Sequence, residues 1–217
     1  MSLQCLINNL ETTPEWTKEW SKDINAVEPD GYDFIQTTDG IRLYTVGHAY
    51  AGWLAKFVSP LLFPFTKILF NYSLNIDDAT PQQAQVIETD SKITDAAGWT
   101  YDLSAQLNIQ KGWMFQVDDA AGDWVDTVIK IPALKPNTVT PFSIAYVLDY
   151  VNHVSSVTSV SVGQTPFQVP VNLQKIPAKR IGWQPSTVVT QLQGCNNGLP
   201  YGAHSWKISQ CGYTMTT

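Results

Sequence analysis

The segment ILFNYSLNI, residues 68–76, places an apolar side chain at every second position and a polar one at most positions between. A period of two is what a β-strand needs to bury one face and expose the other. The same alternation returns in YDLSAQLNI, residues 101–109. Between them, AQVIETD at residues 84–90 predicts a third strand whose two carboxylates, Glu88 and Asp90, share one face. We therefore predict that these strands form a sheet with a polar face of Asn, Ser, Gln, Asp and Glu.

The composition favours one all-β domain over residues 1–217. Charged side chains make up 15% of the chain, well below the usual quarter, while aromatic ones reach 12% with eight Trp. The net charge is −6, and no basic cluster is longer than Lys179-Arg180. A nucleic-acid surface needs a basic stripe, so we predict that nucleic acid is not a partner.

Two features bear on location and assembly. The N-terminal MSLQCLI lacks the basic start and long apolar run of a signal peptide, which fits a cytoplasmic protein or, as we favour, a mature secreted form. The apolar run from Trp53 to Phe65 is interrupted by Lys56, Pro60 and Pro64, and it is too short to span a bilayer. We predict an irregular buried connection there, or a contact through which the chain forms an oligomer.

The three cysteines are too few for a disulfide scaffold. Cys195 and Cys211 flank a predicted turn and could pair in an oxidising compartment, which would leave Cys5 free. A reduced state of all three cysteines fits the sequence equally well.

The sequence predicts no metal site. The three histidines are scattered, and none has a partner at zinc-ligand spacing. The acidic pairs Asp77-Asp78 and Asp118-Asp119 could help to hold calcium, but no complete calcium loop is present and ordinary turn residues explain them as well.

Roughly eleven short strands with turn signals between them predict a sandwich or a barrel. The only predicted helix is a short one from Thr13 to Trp20, where Thr is the cap and Pro14 the first helical residue. The proline-rich segment from Pro166 to Pro185 is predicted to be a long loop. The predicted strands beyond the three above are residues 32–37, 41–45, 112–117, 124–129, 140–150, 154–162, 187–193 and 204–215.

From about Phe70 to the C-terminus, the chain resembles the concanavalin A-like lectin/glucanase superfamily, including its laminin-G-like jelly-roll members. The resemblance rests on a strand with Glu and Asp at i and i+2, a downstream strand, and Trp113 opening the next one. It continues with Trp124-Val125-Asp126 and with the adjacent predicted strands 142–150 and 154–162. The resemblance implies an all-β fold, a two-sheet antiparallel β-sandwich of jelly-roll type, whose concave sheet holds glycans.

Glucanases of that superfamily carry Glu-x-Asp-x-x-Glu, or a form one residue shorter, on a concave strand. The resemblance assigns Glu88 as the nucleophile or base and Asp90 as its support, which are the catalytic candidates. The third position departs from the pattern, because Lys92 and Ile93 stand where the acid/base Glu is expected. Retaining hydrolysis needs two carboxyl groups, so the acid would have to come from elsewhere in this chain. A solvated pair on an open sheet face is the simpler explanation of Glu88 and Asp90.

Five further residues are candidates for glycan binding. Asp102, Gln106 and Asn108 follow the polar face of the predicted strand 101–109, and their side chains suit sugar hydroxyls, although solvated strand residues fit too. Trp99 and Trp183 are the preferred stacking platforms because they lie in predicted loops or strand ends. Trp113 and Trp124 are further candidates for the same role, although tryptophan within a strand is more often core.

The leading hypothesis is therefore a carbohydrate-binding, lectin-like protein whose partner is an oligo- or polysaccharide. The second hypothesis is a glycan-cleaving hydrolase or lyase on the same fold. The third is a non-enzymatic interaction or structural module that uses the run from Trp53 to Phe65.

Overall fold

A computed structural model gives the fold of the chain. The described residues are 4–13, 16–21, 31–46, 51–58, 64–119, 121, 123–170, 176–180, 182, 185–196 and 203–217.

The described residues form seventeen strands and two short helices. The helices are a 3-10 turn, Leu10–Thr12, and α1, Thr80–Gln83. The strands are β1 (Gln4–Ile7), β2 (Thr17–Ser21), β3 (Gly31–Thr37), β4 (Gly40–Val46), β5 (Ala51–Val58), β6 (Lys67–Ile76), β7 (Ala84–Thr94), β8 (Thr100–Asp102), β9 (Ala105–Asn108), β10 (Met114–Asp118), β11 (Trp124–Lys130), β12 (Thr140–Asp149), β13 (Val154–Val162), β14 (Thr165–Gln168), β15 (Ile176–Pro177), β16 (Thr187–Asn196) and β17 (Ala203–Thr216). None of the helices in this described part has the length and apolar character needed to cross a membrane.

The strands form two antiparallel sheets that pack face to face. The nine-stranded sheet has the order β14-β13-β12-β6-β17-β4-β3, with β1 beside β17 and β15 beside β13. The eight-stranded sheet has the order β11-β10-β9-β7-β16-β5-β2, with β8 beside β7. The predicted two-sheet antiparallel β-sandwich is confirmed. The assignment of residues 1–217 to one domain stays a prediction.

The alternation in β6 places its apolar face in the core, as predicted. The inward residues Ile68, Phe70, Tyr72, Leu74 and Ile76 are all buried. The single sheet predicted for the three polar-faced segments is wrong, however, because β6 lies between β12 and β17, whereas β7, β8 and β9 belong to the opposite sheet.

The chain changes sheets at α1. Asp77 fixes this crossing, since its Oδ1 accepts hydrogen bonds from the backbone and the hydroxyl of Thr80 (2.8 and 2.7 Å), and its Oδ2 accepts one from the Ser205 backbone (2.7 Å). Despite its partial burial, these hydrogen bonds hold the pKa of Asp77 below its usual value. The first acidic pair of the sequence therefore includes a carboxylate that organises a turn.

Three local predictions differ from the structure. The helix expected from Thr13 to Trp20 is wrong: β2 occupies Thr17–Ser21, and Trp16 is buried with its Nε1 donating to the Leu10 carbonyl (2.9 Å). A helix-start signal gave way to burial of this ring and to pairing with β5. The predicted loop after Pro166 contains β14 and β15.

The apolar run from Trp53 to Phe65 is also more regular than predicted. Its first part belongs to β5, which lies between β2 and β16 inside the eight-stranded sheet. Phe65 is buried, and residues 59–63 lie outside the described ranges. An oligomer contact through this run stays a prediction.

The structure describes the side chains of two of the three cysteines. Cys5 and Cys211 are free thiols, and Cys211 is fully buried in β17. Burial raises the pKa of the Cys211 thiol well above its usual value, so it stays protonated and unreactive. A bond between Cys195 and Cys211 is therefore not formed in this structure.

Candidate functional site

A row of polar side chains crosses five adjacent strands of the eight-stranded sheet. The registered neighbours are Gln193 on β16, Glu88 on β7, Gln106 on β9, Gln116 on β10 and Asp126 on β11. The row lies on the outer face of the sandwich. Ser91 of β7 points into the sandwich, because its hydroxyl hydrogen-bonds with Tyr213 of the opposite sheet. Glu88 is an odd number of positions away from Ser91 in the strand, so its side chain points to the outer face.

Hydrogen bonds fix this row in one arrangement. The Oε1 atom of Gln116 accepts from Gln106 Nε2 (2.7 Å) and from Asn108 Nδ2 (3.0 Å). Gln116 Nε2 in turn donates to Asp126 Oδ1 (2.5 Å). At the other end of the row, Gln193 Nε2 donates to Glu88 Oε2 (3.1 Å). A network of this kind holds the polar side chains in place before any ligand arrives.

Four of the five side chains of the row, all but Asp126, line a cavity of about 370 Å³, which we call the amide cavity. Its lining residues are Gln85, Val86, Glu88, Gln106, Asn108, Lys111, Gln116, Trp124 and Gln193. Glu88, Gln106 and Gln116 are 2–6% exposed, so they form the base of the depression and not its rim. A recess with fixed polar groups and an aromatic wall has the form of a small-molecule binding site.

A second cavity lies further along β7. It has a volume of about 210 Å³, and we call it the charged cavity. Its lining residues are Lys92, Thr100, Asp102, Asp118, Asp119, Ile176, Pro177 and Lys179. Because Glu88, Asp90 and Lys92 are two positions apart in β7, they follow one face from the amide cavity to the charged cavity.

The carboxyl groups of this face hold their protons more tightly than usual. Burial, followed by the charge of Asp90, raises the pKa of Glu88 far enough to keep it protonated at neutral pH. Burial also raises the pKa of Asp90. Burial and the charges of Asp102 and Asp90 raise the pKa of Asp118 to about 7. Shifts of this size on neighbouring acids beside a cavity are typical of functional sites.

Asp90 has a further distinctive feature. It is 7% exposed, and its buried Oδ1 atom has no hydrogen-bond partner among the described residues. A buried acceptor without a donor costs free energy. This oxygen lies in the strand segment that joins the two cavities.

The structure brings most of the predicted site residues together. Glu88, Gln106 and Asn108 line the amide cavity, Asp102 lines the charged cavity, and Asp90 lies between them. Trp183 lies outside the described residues.

Trp99 lies directly before β8, at a strand end as predicted, and its ring contacts other side chains. Its ring stacks on His153, with centroids 4.0 Å apart and planes 18° apart, and the guanidinium carbon of Arg180 lies 4.9 Å from a Trp99 ring centroid. Trp99 is also absent from the lining of both cavities, as far as the described residues go. The assignment of Trp99 to glycan binding stays a prediction, and the aromatic wall of the amide cavity is Trp124.

Sequence reasoning missed several residues of this site. Gln116 lies on a strand that was predicted, and the period of two would have placed it with Met114 and Asp118 on one face. Trp124 is among the candidate platforms of the sequence, but Trp99 and Trp183 were preferred to it. Asp118 was assigned to a turn, whereas it ends β10 and lines the charged cavity.

The second acidic pair contains another carboxylate that organises a turn. Asp119 Oδ1 accepts hydrogen bonds from the backbone of Ala121 (2.8 Å) and of Asp123 (3.0 Å). Among the described residues, no group of three or more His, Cys, Asp or Glu side chains is arranged to hold a metal ion. The expectation of no metal site, with calcium as the alternative, stays a prediction of the sequence.

Comparisons with known proteins identify the fold. No protein-family model matches the sequence, and a search of curated proteins gives no match. Among solved structures, the chain is similar to lectin UEA-II complexed with galactose, at 8% identity, 98% of both chains and a TM-score of 0.56. It is equally similar to lectin II from Ulex europaeus, at 8% identity, 99% of this chain, 98% of that one and a TM-score of 0.56.

A carbohydrate esterase from the Shiga toxin-encoding bacteriophage phi24B is also similar, at 10% identity, 93% of this chain, 90% of that one and a TM-score of 0.50. At such low identity, these similarities establish the fold alone. They confirm the predicted two-sheet β-sandwich, a fold that the chain shares with these lectins.

Proposed function

We propose that this protein binds a glycan on the polar face of its eight-stranded sheet, with the amide cavity as the main site. The observation that carries the proposal is the row of registered Gln and Glu side chains at the base of that cavity. The similar fold of a lectin complexed with galactose supports it.

The chemistry of the cavity suits a sugar. Carboxamides offer both donors and acceptors, which is what a pair of sugar hydroxyl groups requires. The Trp124 ring at the wall offers an apolar surface for the C–H face of a pyranose. Because Gln116 is bound on three sides, the cavity loses little conformational entropy when a ligand enters.

Titration calorimetry with a panel of oligosaccharides tests this proposal. Gln106→Ala removes one side chain from the base of the amide cavity, and we expect it to weaken binding about tenfold or more. Ser143→Ala is the matched control, because Ser143 makes a side-chain hydrogen bond to Asn71 (2.8 Å) in the other sheet. The proposal fails if no oligosaccharide binds, or if both variants bind as well as the wild type.

Glycan cleavage is the second candidate function, and the buried carboxyl pair favours it. A protonated Glu88 suits a general acid better than the nucleophile or base that the resemblance assigned to it. In this scheme, Glu88 donates its proton to the glycosidic oxygen as the C–O bond breaks. Water then adds to the anomeric carbon and loses a proton to Asp90 or Asp118.

A turnover assay separates the two functions. Glu88→Gln keeps the shape and the neutral charge of the side chain but has no acid proton to donate. If the protein is an enzyme, this variant retains binding and loses product formation. If it is a lectin, neither the wild type nor the variant releases product from any glycan that binds.

A further inference from the structure

The charges of the site indicate what kind of glycan it accepts. We infer that the ligand is an oligosaccharide without carboxylate or sulfate groups, lying along β7 from the amide cavity to the charged cavity. This inference rests on the proposed function and narrows it to a substrate class.

The charges around the two cavities favour a ligand without acidic groups. Glu88 keeps its proton at neutral pH, and the described lining of the two cavities, together with Asp90 between them, has four other carboxyl groups and three lysines. Two of the lysines already face carboxylates: Lys111 Nζ lies 2.9 Å from Asp126 Oδ1, and Lys92 Nζ lies 3.6 Å from Asp102 Oδ2. A uronate or a sulfate would therefore add negative charge to a face that is already acidic.

The proposed placement also sets the length of the ligand. Glu88 lines the amide cavity and Lys92 lines the charged cavity, and the two residues are about 13 Å apart along β7. Asp90 lies midway between them on the same face. A single sugar unit would not span this distance, so a ligand that occupies both cavities has several units.

Matched pairs of oligosaccharides test this inference by calorimetry. Each pair has one backbone in a neutral and an acidic form: galactan and galacturonan, mannan and mannuronan, glucan and glucuronan. We expect at least one neutral member to bind, and its acidic counterpart to bind about tenfold more weakly or worse. Within the binding series, affinity should rise from the single sugar to the trimer.

Two further measurements separate charge from shape. Higher salt should strengthen binding of the acidic member and leave the neutral one unchanged, because salt screens the repulsion. Asp118→Asn removes one carboxyl group from the charged cavity and should narrow the difference between the two members of a pair.

The outcomes distinguish this inference from the function on which it rests. An acidic member that binds as tightly as its neutral form, with Gln106→Ala still weakening it, overturns the inference and leaves glycan binding in place. Binding that does not grow beyond the single sugar overturns the two-cavity placement. Absence of binding across all pairs overturns both.

Discussion

Replacing Asp118 by Asn should stabilise the protein at neutral pH and above. In the folded state burial, followed by the charges of Asp102 and Asp90, raises the pKa of Asp118 from 3.8 to about 7. An acid with a raised pKa binds its proton more tightly when folded than when unfolded. Its unfavourable effect on stability is therefore absent below pH 4, grows as the pH rises, and is complete above about pH 7.

The magnitude follows from the size of the shift. A rise from 3.8 to about 7 corresponds to about 4 kcal/mol if the group were fully buried. Asp118 is only partly buried, and solvent screening reduces the expected effect to about 2 kcal/mol. Asn removes the charge but keeps the shape, so the variant should match the wild type at pH 4 and exceed it by about 2 kcal/mol at pH 8.

Urea denaturation of both proteins from pH 4 to pH 8 measures this difference. Asp126→Asn is a control of opposite sign, because hydrogen bonds from Lys111 and Gln116 lower the pKa of Asp126. An acid whose pKa is lowered in the folded state contributes stability above its usual pKa. Relative to the wild type, Asp126→Asn should therefore lose stability as the pH rises from 4. A difference between Asp118→Asn and the wild type that does not change with pH would refute the reasoning.

Three further predictions concern the remaining structure. Burial lowers the pKa of His204 to about 4, so the folded protein resists protonation of this ring. As the pH falls from 6.5 to 4, the free energy of unfolding of the wild type should therefore drop by about 3 kcal/mol relative to His204→Leu, as measured by urea titration. Gln116→Leu leaves two buried amide groups without their acceptor and should cost about 2 kcal/mol in the same assay at pH 7, whereas an unchanged midpoint contradicts the network. Gly212→Ala would place a Cβ 2.2 Å from the Ile7 carbonyl oxygen, so β1 should separate from β17. The backbone amides of β1 should then exchange with deuterium faster, and unchanged protection of β1 contradicts this packing.

The fold could be predicted from the sequence as far as its signals are local. Alternation identified β6, and a pair of acids two positions apart placed Glu88 and Asp90 on one face. Which strands become neighbours depends on contacts between distant segments, so β6 and β7 were assigned to the same sheet although they lie in different ones. The helix expected near Pro14 failed for the same reason, because pairing with β5 outweighed a local start signal.

The site could be predicted only in part, for a related reason. Gln106 and Asn108 were found because they share a strand with a clear alternation. Gln116 and Trp124 join them through the registers of β9, β10 and β11, which no short stretch of sequence encodes. The raised pKa values of Glu88 and Asp118 come from burial and from the charges of neighbouring carboxylates. Both causes exist only once the strands are side by side.

A crystal structure of the protein soaked with a mixture of neutral oligosaccharides tests the central claim most directly. The account predicts a sugar in the amide cavity, with hydroxyl groups within hydrogen-bond distance of Glu88 and Gln106 and one ring against Trp124. A sugar bound only on the nine-stranded sheet, or an amide cavity that stays free of sugar at saturating concentration, would contradict it.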